Sequence, residues 1–215
     1  MLTFAVFIPS DMKHVRLLLS KDQIADACAE LLRLARLGSV QAAAALGFLY
    51  FRGIRWAGAA DTEVLDICRR AAIRGSSYAQ YVMALYEGRR GDRSKEWAWL
   101  KMSNRQEFGP SLTESARLAA NVAKNSKLAW IYIKRGLKER HLPALVLLAA
   151  AGSKGRFGIL WRILGVIFYP GAILLMFIAL SYFRYSEHVL VSTNLNYELR
   201  YFPEADRVTR SSHEI

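Results

Sequence analysis

A chain of 215 residues with a formal charge of +12 and 53% hydrophobic residues has room for one modest domain and a membrane segment, and no more. The charge invites a nucleic-acid reading, but its placement argues against one. Residues beyond Arg184 carry three arginines against five acids, which leaves +14 on residues 1–184. Much of it lies just before an uncharged run, where basic side chains would face anionic headgroups, and no RNA- or DNA-binding motif accompanies it. Cys28 and Cys68 stand alone in apolar helical contexts, which suits reduced, buried thiols in a cytosolic domain rather than a disulfide framework.

The opening MLTFAVFIPSDMKH lacks a basic n-region and a small-residue cleavage site, so it does not read as a secretory signal peptide. Residues 1–19 are taken as an N-terminal cap segment, with 10–19 supplying a helix that pairs with the next. Residues 20–37 (SKDQIADACAELLRLARL) place Ile24, Ala27, Cys28, Leu31, Leu34 and Ala35 on one helical face, with Ser20 as the expected N-cap.

Self-similarity follows. Residues 38–53 read GSVQAAAALGFLYFRG, residues 66–75 read DICRRAAIRG and residues 76–88 read SSYAQYVMALYEG; Gly38 and Gly75 are 37 residues apart, a spacing that fits two helices and two turns. Looser copies appear at 96–112 (EWAWLKMSNRQEFGPSL) and 141–152 (HLPALVLLAAAG), where Pro110 and Pro143 lie 33 residues apart. Ala42, Ala43, Ala45 and Gly47 permit close helix approach, Phe48, Leu49 and Tyr50 fill the space between, and Gly38, Gly53, Gly75 and Gly88 are expected helix stops.

Ala42, Leu46, Gly47, Tyr50 and Gly53, followed by Arg70, Ala71, Ala72, Gly75, Ala79, Gln80 and Tyr81, resemble the Sel-one-like repeat family, relatives of the tetratricopeptide repeats. The likeness extends over residues 20–152. Later copies depart from it: Met83 and Ala84 replace Leu-Gly, and Lys101-Met102-Ser103 stands where Ala-Ala-x-x-Gly would follow Trp99. The resemblance implies a right-handed helical solenoid used for protein–protein contact and offers no catalytic motif. Trp97, Trp99 and Trp130 either fill inter-helix space or anchor a partner.

Residues 163–183 (ILGVIFYPGAILLMFIALSYF) contain no charge and as a helix would extend roughly 31 Å, matching a hydrocarbon core of about 30 Å. A transmembrane helix with interfacial flanks is therefore expected over 157–184. Trp161 and Arg162 would sit at one edge, Tyr182 and Tyr185 at the other, with a kink at Pro170. A re-entrant hairpin turning at Tyr169-Pro170-Gly171 is the alternative. Ten Lys or Arg residues and one acid, Glu139, occupy 117–162, so the positive-inside rule places the N-terminal domain in the cytoplasm and the tail beyond an inner or plasma membrane. In that tail Val189, Val191, Thr193, Leu195, Tyr197, Leu199 and Tyr201 alternate with mostly polar residues. Such a strand pattern could add to a partner's sheet edge.

No phosphate-binding loop or metal-ligand spacing occurs. His14, His141, His188 and His213 read as surface or capping residues, Glu96 and Glu107 as solvated, and GSKG at 152–155 as a loop. No catalytic, cofactor or metal residue is expected. The sequence thus describes an all-α protein: a short helical-repeat solenoid over 20–156, one transmembrane helix, and a β-prone tail over 185–215. Its expected role is that of a non-enzymatic membrane adaptor with protein partners on the cytoplasmic side and beyond the membrane. Family analogy points to bacterial envelope or exopolysaccharide machinery. The alternatives are a membrane-associated nucleic-acid-binding protein and an enzyme with an unrecognised site.

Overall fold

The computed structural model describes residues 6–54, 58–153 and 159–183, and every regular element among them is helical. The order is α1 (Lys13–Ser20), α2 (Ile24–Arg36), α3 (Val40–Phe51), α4 (Asp61–Ile73), α5 (Ser77–Arg89), α6 (Arg93–Asn104), α7 (Gly109–Asn121), α8 (Ser126–Lys138), α9 (Leu142–Ser153) and α10 (Ile159–Phe183). Each helix packs on the next, and α3 also meets α5 while α7 meets α9. The chain therefore zigzags as stacked helix pairs.

Composition decides which helices lie inside. α3 is almost free of polar residues and is buried from Ala42 to Phe51, whereas α2 and α4 bury one face only. Small residues set how closely helices approach: a Cβ on Gly47 would lie 2.8 Å from Cys68 Sγ, so only glycine fits where α3 crosses α4. The extended segment before α1 lies against the same core. Val6 and Ile8 are buried, Phe7 packs edge-on to Tyr78 at 5.4 Å, and the Arg16 guanidinium donates twice to the Ile8 carbonyl, at 2.9 and 2.6 Å.

The reversals use one recurring device. Gly38 and Gly75 both have φ of +97°, and the next residue's N–H reaches back to close the helix, Ser39 to Leu34 O at 3.0 Å and Ser76 to Ala71 O at 3.2 Å. This is a left-handed C-cap with its longer closing bond. Ser39 and Ser76 then N-cap the following helices by accepting from Ala42 N and Ala79 N, both at 3.2 Å. Arg140, at φ +55°, occupies the same place, with His141 N on Gly136 O at 3.0 Å, and Glu107, at φ +54°, ends α6.

Four expectations change here. Gly88 does not stop α5; it lies inside the helix, and the stop is Gly91 at φ +84°. A Cβ at 88 would overlap the Glu96 carboxylate, the far end of a side chain that would have to move. Ser20 is not an N-cap but the last residue of α1, its hydroxyl donating to Leu17 O at 2.7 Å. No turn occurs at Tyr169-Pro170-Gly171, because α10 is helical through Pro170. Of the loop expected at 152–155, Gly152 and Ser153 belong to α9, and the rest lies outside the described residues. The strand pattern of the tail lies outside the described residues.

The conformational cost of a side chain at positive φ is about 1–2 kcal/mol. Gly75→Ala should therefore lower unfolding stability by about 1 kcal/mol, while Arg140→Gly should raise it by a comparable amount. Urea denaturation of both variants measures the opposite signs.

Candidate interaction surfaces

The tryptophans singled out in the sequence are half-buried and do not form one patch. Trp97 and Trp99 pack against the main core, and the Trp97 ring lies 6.4 Å from that of Tyr132. Trp130 belongs to a separate cluster with Ala116, Ile133 and Leu147, and the Lys134 ammonium stands 5.7 Å above its ring. Half-burial leaves each an edge that could meet a partner while most of its area fills inter-helix space. Of the anchor residues, Arg162 and Pro170 are exposed on α10. Trp161 and Tyr182 belong to that helix with their side chains outside the description, and Tyr185, Val189, Val191, Leu195, Tyr197, Leu199 and Tyr201 lie outside the described residues.

Sequence reasoning missed a buried polar seam between α6, α7, α8 and α9. Asn104 binds two helix-α7 hydroxyls: its Oδ1 accepts from Ser111 Oγ and its Nδ2 donates to Ser115 Oγ, each at 2.7 Å. His141 is not a surface residue. It is buried, with Nδ1 2.7 Å from Thr113 Oγ1. Arg135 donates to Asn104 O at 2.7 Å and to Glu107 at 2.8 Å, joining α8 to the end of α6.

Glu96 is likewise not solvated. Its side chain is 2% exposed, 2.6 Å from Arg93 Nη1 and 4.0 Å from Arg117 Nη2, which also pairs with Glu114. Burial pushes the Glu96 carboxyl above its ordinary 4.5, the Arg93 hydrogen bond opposes that, and the Glu114 charge adds to it. The arrangement could hold a proton but opens onto no cavity among those described. Burial also pushes the Cys28 thiol up to about 11 and that of Cys68 to about 12. Both are free, buried and therefore protonated and unreactive at neutral pH.

Two concavities stand at helix junctions. One, of about 240 Å³, lies between α2, α3 and α4 and is lined by Arg36, Ser39, Glu63, Arg70 and Arg74. Arg36 pairs with Glu63 at 2.7 Å. The other, of about 270 Å³, is an apolar groove between α9 and α10, lined by Leu145, Leu148, Leu164, Phe168 and Leu175.

α10 is the least conventional surface. One side, through Ala172, Met176 and Ala179, packs on Val146 and Ala149 of α9. The other leaves Ile163, Ile167, Leu174 and Ile178 between 46% and 63% exposed. Arg162 is its one charged residue. Among the described residues no helix is long and apolar enough to cross a membrane. Among the described residues no group of His, Cys, Asp and Glu could hold a metal ion.

No protein-family model, no curated protein and no solved structure matches the chain.

A carboxyl whose ionisation is raised by burial stabilises the fold fully below its ordinary value, and that contribution is lost as pH rises through the raised one. Glu96→Gln keeps the shape without ionising. Its melting temperature relative to the native chain should therefore improve as pH rises above about 4.5. Thermal scans of the two proteins at several pH values read the difference directly.

Proposed function

We propose that the chain is a non-enzymatic, membrane-anchored adaptor of the Sel-one-like kind. Its helix pairs form a scaffold for protein partners, and α10 holds that scaffold at an inner or plasma membrane. The observation that carries the reading is the exposed apolar face of the last helix. A stack of repeats is kept in water by a polar outer face on its terminal helix, yet here Ile167 and Leu174 are 63% and 61% exposed. Contiguous apolar surface of this kind marks a membrane or interaction site.

The repeat reading draws support from the backbone. Two successive units share the left-handed glycine, the serine N-cap and the bond to the residue three further on, in register at 37 residues. The basic pocket at the first junction and the half-buried tryptophans are the natural contacts for acidic and aromatic segments of partner proteins. Residues 185–215, with their alternating pattern, would supply a further contact. Bacterial envelope or exopolysaccharide machinery is the assembly to examine first, by analogy with the repeat family.

Paired substitution Ile167→Asp and Leu174→Asp tests the anchor without touching the face that meets α9. The native protein should sediment with membranes, and the variant should shift to the soluble fraction at least about tenfold with its helical circular dichroism intact. A native protein found wholly in the soluble fraction would end the reading.

A further inference from the structure

The outward side of α10 is a broad apolar stripe. At 100° per residue, Ile163, Ile167, Leu174 and Ile178 fall within about 60° of one another, Val166, Phe168 and Leu175 widen the exposed arc to about 200°, and all are 46% to 63% exposed. The opposite side is occupied: Ala172, Met176 and Ala179 meet α9. α9 is itself held from behind, with Leu147 clustered with Ala116 and Ile133, and with Ala144 Cβ 3.0 Å from where a Cβ on Gly136 would stand. α10 therefore packs on α9 and meets the stack through it. To cross a bilayer alone it would have to leave α9 and expose that apolar seam.

We propose that α10 lies in the plane of the membrane, its stripe sunk into one anionic leaflet, with the repeat stack and residues 184–215 on the same side. An interfacial helix needs a polar back. α10 has none of its own, and the stack behind α9 provides it, so the amphipathic unit is the helix together with the domain. Two features favour lipid over a second copy of the chain. Arg162 is exposed at one end of an otherwise uncharged helix, suited to a headgroup phosphate. The adjoining groove of about 270 Å³ is lined by leucine and phenylalanine, open to an acyl chain.

This inference rests on the membrane reading above, and one experiment separates them. Full-length protein carrying a nitroxide at position 163, 167, 174 or 178 through Ile163→Cys, Ile167→Cys, Leu174→Cys or Ile178→Cys is added to preformed vesicles of phosphatidylcholine and phosphatidylglycerol. Cys28 and Cys68 are buried and remain unlabelled. Flotation with the vesicles and one common shallow depth at all four positions is the expected result. In the same vesicles, Ser94→Cys in α6 and Ser192→Cys in the tail should both react with an impermeant maleimide added outside. A depth that advances by about 1.5 Å per residue, or a tail protected while the stack reacts, would overturn the in-plane arrangement and leave the membrane anchor standing. Failure to float would overturn both. A detergent-free dimer dissociated by Ile167→Asp would then assign the stripe to a second copy.

Discussion

The stack depends on one turn: a residue held at positive φ at the end of a helix, closed by the next residue's N–H on a carbonyl of the last helical turn. Gly38, Gly53, Gly75 and Gly91 build it with φ between +84° and +97°. It uses orphan carbonyls that would otherwise be buried unpaired, and it fixes the exit direction of the chain. After Gly38, Gly75 and Gly91 it consumes so few residues that the following helix returns along its predecessor, whereas nine residues separate α3 from α4. Helices of 12 or 13 residues then repeat from α2 through α9, and their similar length lets the pairs stack in register.

What fills the stack changes along it. At the first unit the inner helix packs alanine, leucine and phenylalanine, and burial alone accounts for its cohesion. At the third, Ser111, Thr113, Glu114 and Ser115 of α7 are buried instead. Desolvating these groups costs more than burying alanine, and the structure offsets that by giving Ser111, Thr113 and Ser115 side-chain partners and by placing Arg117 on Glu114. Such a seam adds little net stability. It does fix the relative rotation of α6, α7 and α9, since a slipped helix would leave several buried groups unpaired.

This change also explains where the sequence was readable. Units built on Ala-Ala-x-x-Gly at 71–75 and on Gly38-Ser39 announced their turns, because glycine and serine are there for reasons of backbone geometry. The later turns use Glu107, Lys124 and Arg140 at φ between +51° and +55°, and nothing in those residue types signals a left-handed conformation. Gly88 misled in the other direction. It is small to make room for Glu96, a contact between helices that no local pattern encodes. Glu96 looked solvated because charge is a poor guide to position once Arg93 and Arg117 supply partners from neighbouring turns and helices, and His141, read as surface or capping, stands just before α9 but is buried against Thr113. The apolar run at 163–183 was plain, but its partner was not. Hydropathy reports that a helix avoids water, and only packing tells which of its sides is already covered.

That distinction decides how the two ends of the chain can cooperate. A span would separate residues 1–153, of charge +10, from a tail with three arginines and five acids, and each would meet its own partners on its own side. An in-plane α10 keeps them in one compartment. Opposite charges within about a Debye length, roughly 8 Å at physiological salt, would then interact. Arg162, exposed at one end of α10, would hold the anchor to the leaflet. Binding through stack and tail becomes a matter of effective concentration on one face of the membrane rather than of contact across it.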